Sequence, residues 1–514
     1  MNIKEAKEEI KNTLRAYHRK DEQGRYSYPL IRQRPILLMG PPGIGKTAIM
    51  EQIARECGVG LVSYTITHHT RQSAIGLPRI MSRNYGGQEM SVTEYTLSEI
   101  IAAVYDCMER TGKKEGILFI DEINCASETL APVMLQFLQN KTFGSHRVPE
   151  GWMIVAAGNP AEYNKSVREF DIVTLDRVRR MDITADCGVW MEYAWERKIH
   201  GAVLSYLNLK PDHFYVMKNR GEEKQFVTAR GWEDLSELLK NYEELGVGIS
   251  ADLMQQFLQH PGTARDFYSY YQLYRKYGTD YGVAEILSGT LTEEEYKERQ
   301  EMAKKAGFDE RFTVTGLLVD GLSSGLTEFE AMDRRVSLLH ERLVQLKAVL
   351  DTREDMQVLQ QFIQDKTKSL EVKVEKELIG SGEASLEQDV LFSLEEYDLV
   401  LKKEHILDKT EGFERLKDLF EEEVRERKRL LERLQESMEQ VFRFTALSFG
   451  EDQEMILLLS CLMRNPVAMK FISEHGCPSF FRYSGVLMQE KTDRELQENC
   501  RKLLKISGEG EKIG

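Results

Sequence analysis

Eight residues, Gly40-Pro41-Pro42-Gly43-Ile44-Gly45-Lys46-Thr47, constrain this chain more than any other feature. They follow the apolar run Ile36–Met39 and lead into Ala48-Ile49-Met50, so the text predicts a strand, a glycine-rich turn and a helix. Their spacing is GxxxxGK[ST], a phosphate-binding loop in the setting its chemistry requires. Glycines let successive backbone N–H groups wrap a phosphate, and the start of a helix adds a favourable dipole. Lys46 brings positive charge to the β- and γ-phosphates, and Thr47 offers a hydroxyl to Mg²⁺. The expected nucleotide contacts are therefore Gly40, Pro41, Pro42, Gly43, Ile44, Gly45, Lys46, Thr47 and Ala48. A chance glycine-rich turn would require neither the strand before it nor the helix after it.

Such a loop needs a carboxylate at the end of a neighbouring strand to hold the metal's water shell. Gly116-Ile-Leu-Phe-Ile-Asp121-Glu122 supplies it. Asp121 is the expected metal partner together with Thr47, and Glu122 is placed to polarise the water that attacks a γ-phosphate. The plainer reading has the two acids capping a helix that begins near Ser127-Glu-Thr.

Short apolar runs at Ile36–Met39, Gly60–Ile66, Ile117–Ile120 and Met153–Ala157 alternate with helical text, the pattern of a parallel sheet with helices on both faces. The expected fold class is α/β over residues 1–190, followed by a helical lid over 191–290. An acidic, mostly helical region is expected over 291–514, with a hinge near 379–386 at Gly380-Ser381-Gly382-Glu383-Ala384. The 514 residues carry 69 Lys+Arg against 84 Asp+Glu. Residues 1–290 hold 35 basic and 37 acidic side chains, which leaves 34 and 47 for the remainder. That balance gives no electrostatic reason to bind nucleic acid or an anionic membrane. From Phe413 a heptad template places Phe413, Phe420, Leu434 and Val441 on one seam and Val424, Leu431 and Met438 on the other. A partly coiled-coil hairpin and a bundle core both fit that pattern.

Cysteines 57, 107, 125, 187, 461, 477 and 500 show no CxxC or paired Cys/His spacing, and His68, His69 and His146 lack ligand spacing, so thiols are expected reduced and no zinc site is expected. The longest apolar stretch, Met455 to Met463, is far short of the ~20 residues a spanning helix needs. The N-terminal text has no apolar signal core, and the expected location is cytoplasmic.

Taken in order, GPPGIGKT, ILFIDEIN and IVAAGNP resemble the Walker A, Walker B and sensor 1 segments of an AAA+ ATPase, and DEIN followed by GNP and LDRV is most similar to the MoxR-type branch. The resemblance covers about residues 1–290. It implies that Asn159 is the sensor 1 residue holding the attacking water or the γ-phosphate. It also implies that Arg177, in Thr174-Leu-Asp176-Arg177-Val178, is a finger onto the neighbouring subunit's nucleotide. Arg179 and Arg180 are alternatives, and Val178 stands where the family usually has Phe. Arg230, in Thr228-Ala229-Arg230-Gly-Trp232, resembles the sensor 2 arginine, with Ala229 where Pro is frequent. Arg71–Tyr95, with a Gly86-Gly87 turn, and Lys141–Pro149 look like the helix 2 insert and the hairpin before sensor 1, segments that face a pore or a partner.

The resemblance implies an ATP- and Mg²⁺-dependent motor, a hexameric ring that remodels or assembles a protein client with a separate von Willebrand factor A domain protein. Two other readings are a McrB-like nucleic-acid motor, which would need a basic pore, and a nucleotide-switched scaffold, which would not need Glu122.

Overall fold

The computed structural model describes residues 1–485, apart from residues 69, 144–145, 164–166, 168–169, 221–222, 352–355, 357 and 377. His69, Gly144, Ser145 and Cys500 lie outside the described residues. Five strands form one parallel sheet: β1 (Ile36–Met39), β2 (Gly60–Thr65), β5 (Gly116–Asp121), β8 (Trp152–Gly158) and β9 (Arg179–Asp182), in the order β2-β5-β8-β1-β9. Hairpins complete the strands: β3 (Pro78–Tyr85) with β4 (Gln88–Tyr95), β6 (Thr142–Phe143) with β7 (His146–Arg147), and β10 (Val216–Arg220) with β11 (Glu223–Val227).

Strands β1, β5 and β8 are almost wholly buried because helices cover both faces of the sheet, which is why they read as continuous apolar runs. Glycines 60 and 116 make room for Trp152 between strands. A Cβ on Gly116 would lie 2.6 Å from the indole, and one on Gly60 3.0 Å from it. Strand β9 escapes the sequence pattern because it is a short edge strand, Arg-Arg-Met-Asp, with Met181 alone buried.

The register fixes the chemistry. Met39 pairs with Gly158, and Ile120 with Ala156, so the ends of β1, β8 and β5 fall side by side. The loops leaving them meet at the carboxyl edge of the sheet, where open α/β folds bind ligands.

Beyond Cys187 the described chain is mostly helical. One apolar core gathers side chains from Trp190 to Phe329 and again from Leu434 to Phe480. The boundary expected near 290 falls inside that core. Helices Phe308–Leu350 and Lys409–Phe449 run antiparallel, since Arg335 pairs with Glu423 and Arg427 with Asp333. Their outer halves join helices Val358–Glu375 and Ser381–Lys403 in a separate distal core of Leu339, Leu346, Leu359, Leu394 and Leu416. Of the heptad residues, Leu434, Met438 and Val441 are buried in the large core, Phe413 and Phe420 flank the distal one, and Val424 is exposed. Thr445, a polar residue seven positions after Met438, is also fully buried. This is the packing of a bundle, in which buried positions fall on more than one face. The glycines expected to form a loop near 379–386 instead start a helix, with Gly380 as its N-cap and Ser381 to Ala384 in its first turn.

Among the described residues no single helix is long and apolar enough to cross a bilayer. Helices Gln453–Arg464 and Pro466–His475 meet at 91°, and their apolar faces belong to the large core. No cluster of potential metal-ligating His, Cys, Asp and Glu occurs among the described residues. No disulfide joins the six described cysteines, of which Cys107, Cys461 and Cys477 are buried.

Candidate nucleotide site

The loop from Gly40 to Gly45 joins β1 to helix Lys46–Cys57. Gly43 and Gly45 have φ of 72° and 91°, a region costly for residues with a Cβ. The loop is also crowded. A Cβ on Gly40 would lie 2.8 Å from the Ile183 carbonyl, and one on Gly43 3.0 Å from Thr228 Cβ.

Lys46 is only 8% exposed. Its ammonium donates to Gly40 O at 2.8 Å, Pro41 O at 2.7 Å and Asn159 Oδ1 at 2.8 Å. Burial pushes its pKa down to about 8; Asp121 and Glu122 favour the charge, while Arg230 opposes it. Thr47 Oγ1 donates to Asp121 Oδ2 at 2.9 Å. Asp121 Oδ1 accepts from the Glu122 backbone N–H at 2.9 Å. Glu122 has φ of 55°, a left-handed conformation uncommon outside glycine. The capping alternative is not what forms: Glu122 makes no side-chain cap on Ile123–Cys125, and the next α-helix starts at Ala131. The loop lysine, the strand-end acids and Asn159 thus converge.

Asn124 completes this corner and escaped the sequence reading. It is 3% exposed, its Nδ2 donates to Asn159 O at 2.7 Å, and it leaves no space for a side chain at Gly158. The available signal was the Asn two residues after Glu122.

The three candidate finger arginines separate clearly. Arg179 donates to Thr13 Oγ1 at 2.7 Å and Glu9 Oε1 at 2.6 Å, and Arg180 pairs with Asp182 at 2.8 Å. Arg177 is exposed between helix Ile172–Leu175 and β9 and donates to Gln139. Val178, at the position where Phe was anticipated, is buried. Arg230 is exposed in the first turn of helix Ala229–Glu244, which Thr228 caps by accepting from Gly231 N at 3.2 Å.

Hairpin β3–β4 turns at Gly86-Gly87 and is exposed almost throughout, with Ile80 77% accessible. The segment Lys141–Pro149 departs from the expected surface loop, since Lys141, Phe143 and Val148 are all buried; Lys141 donates to the Leu30 and Gln33 carbonyls, and burial pushes its pKa down to about 8.

The family description "AAA domain (dynein-related subfamily)" matches residues 35–178. Human ATPase family gene 2 protein homolog A is 36% identical over 98 residues, which are 19% of this chain. The match spans only 8% of that relative's length. A solved structure provisionally described as an ATPase of Cytophaga hutchinsonii shares 17% identity, covers 35% of this chain and 46% of that one, and superposes with a TM-score of 0.21. Residues 35–178, which hold the loop lysine, the strand-end acids, Asn159 and Arg177, carry an AAA domain of the dynein-related subfamily.

Proposed function

We propose that the chain is an ATP-hydrolysing motor of MoxR type, a cytoplasmic hexameric ring that remodels or assembles a protein client with a separate von Willebrand factor A domain partner. The observation that carries this reading is the joining of three distant segments by the bonds of Lys46 to Asn159 and of Thr47 to Asp121.

Lys46 would exchange its Gly40 and Pro41 acceptors for phosphate oxygens, while the backbone of Gly40 to Ala48 wraps the phosphate. Thr47 and Asp121 fit Mg²⁺, because both offer hard oxygen donors and already face each other at 2.9 Å. The bound ion would neutralise charge on the triphosphate. Glu122 would take the proton of the attacking water, and Asn159 would orient that water or hold the γ-phosphate. Arg230 would reach the γ-phosphate from the helical side. Arg177, the one of the three arginines not held by an acid or by helix Ile3–Tyr17, would complete the site of the adjacent subunit. The accessible Ile172 and Val173 beside it suit a subunit contact, and the exposed β3–β4 hairpin suits a client or pore contact.

The test is ATPase activity against protein concentration, alongside the oligomeric state. Specific activity should rise with assembly. A rate that is independent of concentration and unaffected by Arg177→Ala would remove the ring from this reading.

A further inference from the structure

The phosphate loop is held from behind by a residue that no motif points to. Tyr215 donates its hydroxyl to the Pro42 carbonyl at 3.1 Å. Its ring packs against both the core on the helix-Ile3–Tyr17 side of the sheet and the large helical core. The residue before it is fixed within the helical region: Phe214 is buried against Trp190, and its carbonyl accepts from Trp232 Nε1 at 3.2 Å. Trp232 is fully buried two residues after Arg230 in the same helix. Thr228 also lies beside the loop, its Cβ 3.0 Å from where a Cβ on Gly43 would be.

We propose that Tyr215 is a positioning residue that sets the phosphate loop for nucleotide and couples it to the helix carrying Arg230. The inference rests on the nucleotide-binding reading above. Its physical basis is the peptide plane. The Pro42–Gly43 bond is trans, so its C=O and N–H point in opposite directions. By holding the carbonyl toward the helical region, Tyr215 turns the Gly43 N–H away from that region. The loop then meets a phosphate with this donor already oriented, which lowers the ordering cost of binding. Burial raises the phenol's pKa, so the hydroxyl stays protonated and able to donate at neutral pH.

Tyr215→Phe removes the hydroxyl and keeps the ring between the two cores, whereas Tyr215→Ala also opens a cavity. The experiment measures Mg-ATP dissociation constants and nucleotide-free melting curves for the natural chain and the Phe variant. A neutral hydrogen bond of ordinary strength predicts about three- to tenfold weaker binding, expressed mainly in KM, with the nucleotide-free melt unchanged. Binding within about twofold of the natural chain, where the natural chain does bind Mg-ATP, would overturn the positioning role alone. If the natural chain itself fails to bind Mg-ATP, the nucleotide-binding reading falls and this inference falls with it.

Discussion

The α/β region and the helical region are built under different constraints. At the nucleotide end a few polar atoms must meet at one edge of a sheet, and each is fixed by chemistry: an ammonium, a hydroxyl, two acids and an amide. The helical region asks only that apolar faces close around Tyr206, Trp232 and Tyr271, and many sequences would satisfy it. Substitutions at the first end should therefore abolish function without unfolding the chain, and substitutions at the second should unfold it with no specific chemical signature.

The sharpest form of that contrast is Arg177→Ala. Turnover should fall about 10³-fold or more, as expected for loss of an arginine finger, while the melt stays cooperative. Glu122→Gln should also remove hydrolysis yet retain ATP, whereas Lys46→Ala loses affinity because Lys46 contacts phosphate in the ground state. Mixing the Arg177→Ala and Glu122→Gln chains should restore part of the activity, since some interfaces then pair an intact Glu122 with an intact Arg177. A mixture no faster than its components would sink the assignment of Arg177 to the neighbouring site.

On the helical side the equivalent test is where the chain can be cut. Ending it near residue 290 strips Leu318, Leu322, Leu326, Met438, Val441 and Phe442 from the large core. Each buried side chain is worth about 1.5–3 kcal/mol, so the six together are worth about 9–18 kcal/mol, as much as the whole 5–15 kcal/mol typical of a domain. The shortened chain should show no cooperative melt. Replacing residues 336–422 by a short Gly/Ser linker should be tolerated, because Arg335 and Glu423 are already an ion pair and the distal core leaves as a unit. Circular dichroism melts and Mg-ATP binding read both variants. A cooperative melt from the 1–290 chain would show that the two stretches of core are independent.

This contrast also explains what could be read from sequence. Lys46, Thr47 and Asp121 were legible because phosphate chemistry restricts both residue type and spacing, and Asn159 through the resemblance of the ordered segments. Strand β9 was not, since an edge strand can carry Arg179 and Arg180 where an inner strand needs apolar residues. Tyr215 acts through a backbone carbonyl and leaves no spacing signature, and the one mark of Asn124 is its place two residues after Glu122. In the helical region, text such as Ala229–Glu244 announces a helix, but 3.6-residue periodicity names no partner. The union of residues 190–329 with 434–480 was therefore invisible.

A smaller effect tests packing inside that union. A Cβ on Gly201 would lie 2.0 Å from the carboxyl carbon of Asp320, a half-buried residue that accepts from Tyr274 at 2.8 Å and whose pKa burial raises. Gly201→Ala should cost about 1–3 kcal/mol in urea unfolding. Gly382→Ala, where nothing lies within 4 Å of the added carbon, should cost nothing. Equal stability of the two variants would mean that helix Gly201–Leu209 can shift away from Asp320 freely.

The mildest probe returns to the nucleotide end and uses pH. In the nucleotide-free chain Lys46 titrates at about 8, below its ordinary 10.5, chiefly because of burial. Bound phosphates favour the ammonium and raise that value, so binding above pH 8 must take up a proton. Affinity should therefore be insensitive to this group below about pH 8. It should then weaken by up to about tenfold per pH unit, until the pH reaches the pKa of the bound state. Folding stability moves the other way. The unfolded lysine keeps its proton up to about 10.5, and the folded one loses it from about 8, so the burial cost is complete below 8 and is relieved as pH rises between those values. Dissociation constants for Mg-ATP across pH 7 to 9.5, with Lys46→Arg as a chain whose guanidinium does not titrate, separate this group from the nucleotide's own ionisation. A pH profile of the natural chain parallel to that of the Arg variant would show that Lys46 remains fully charged in its three-acceptor site, and that the surrounding carbonyls and carboxylates outweigh its burial.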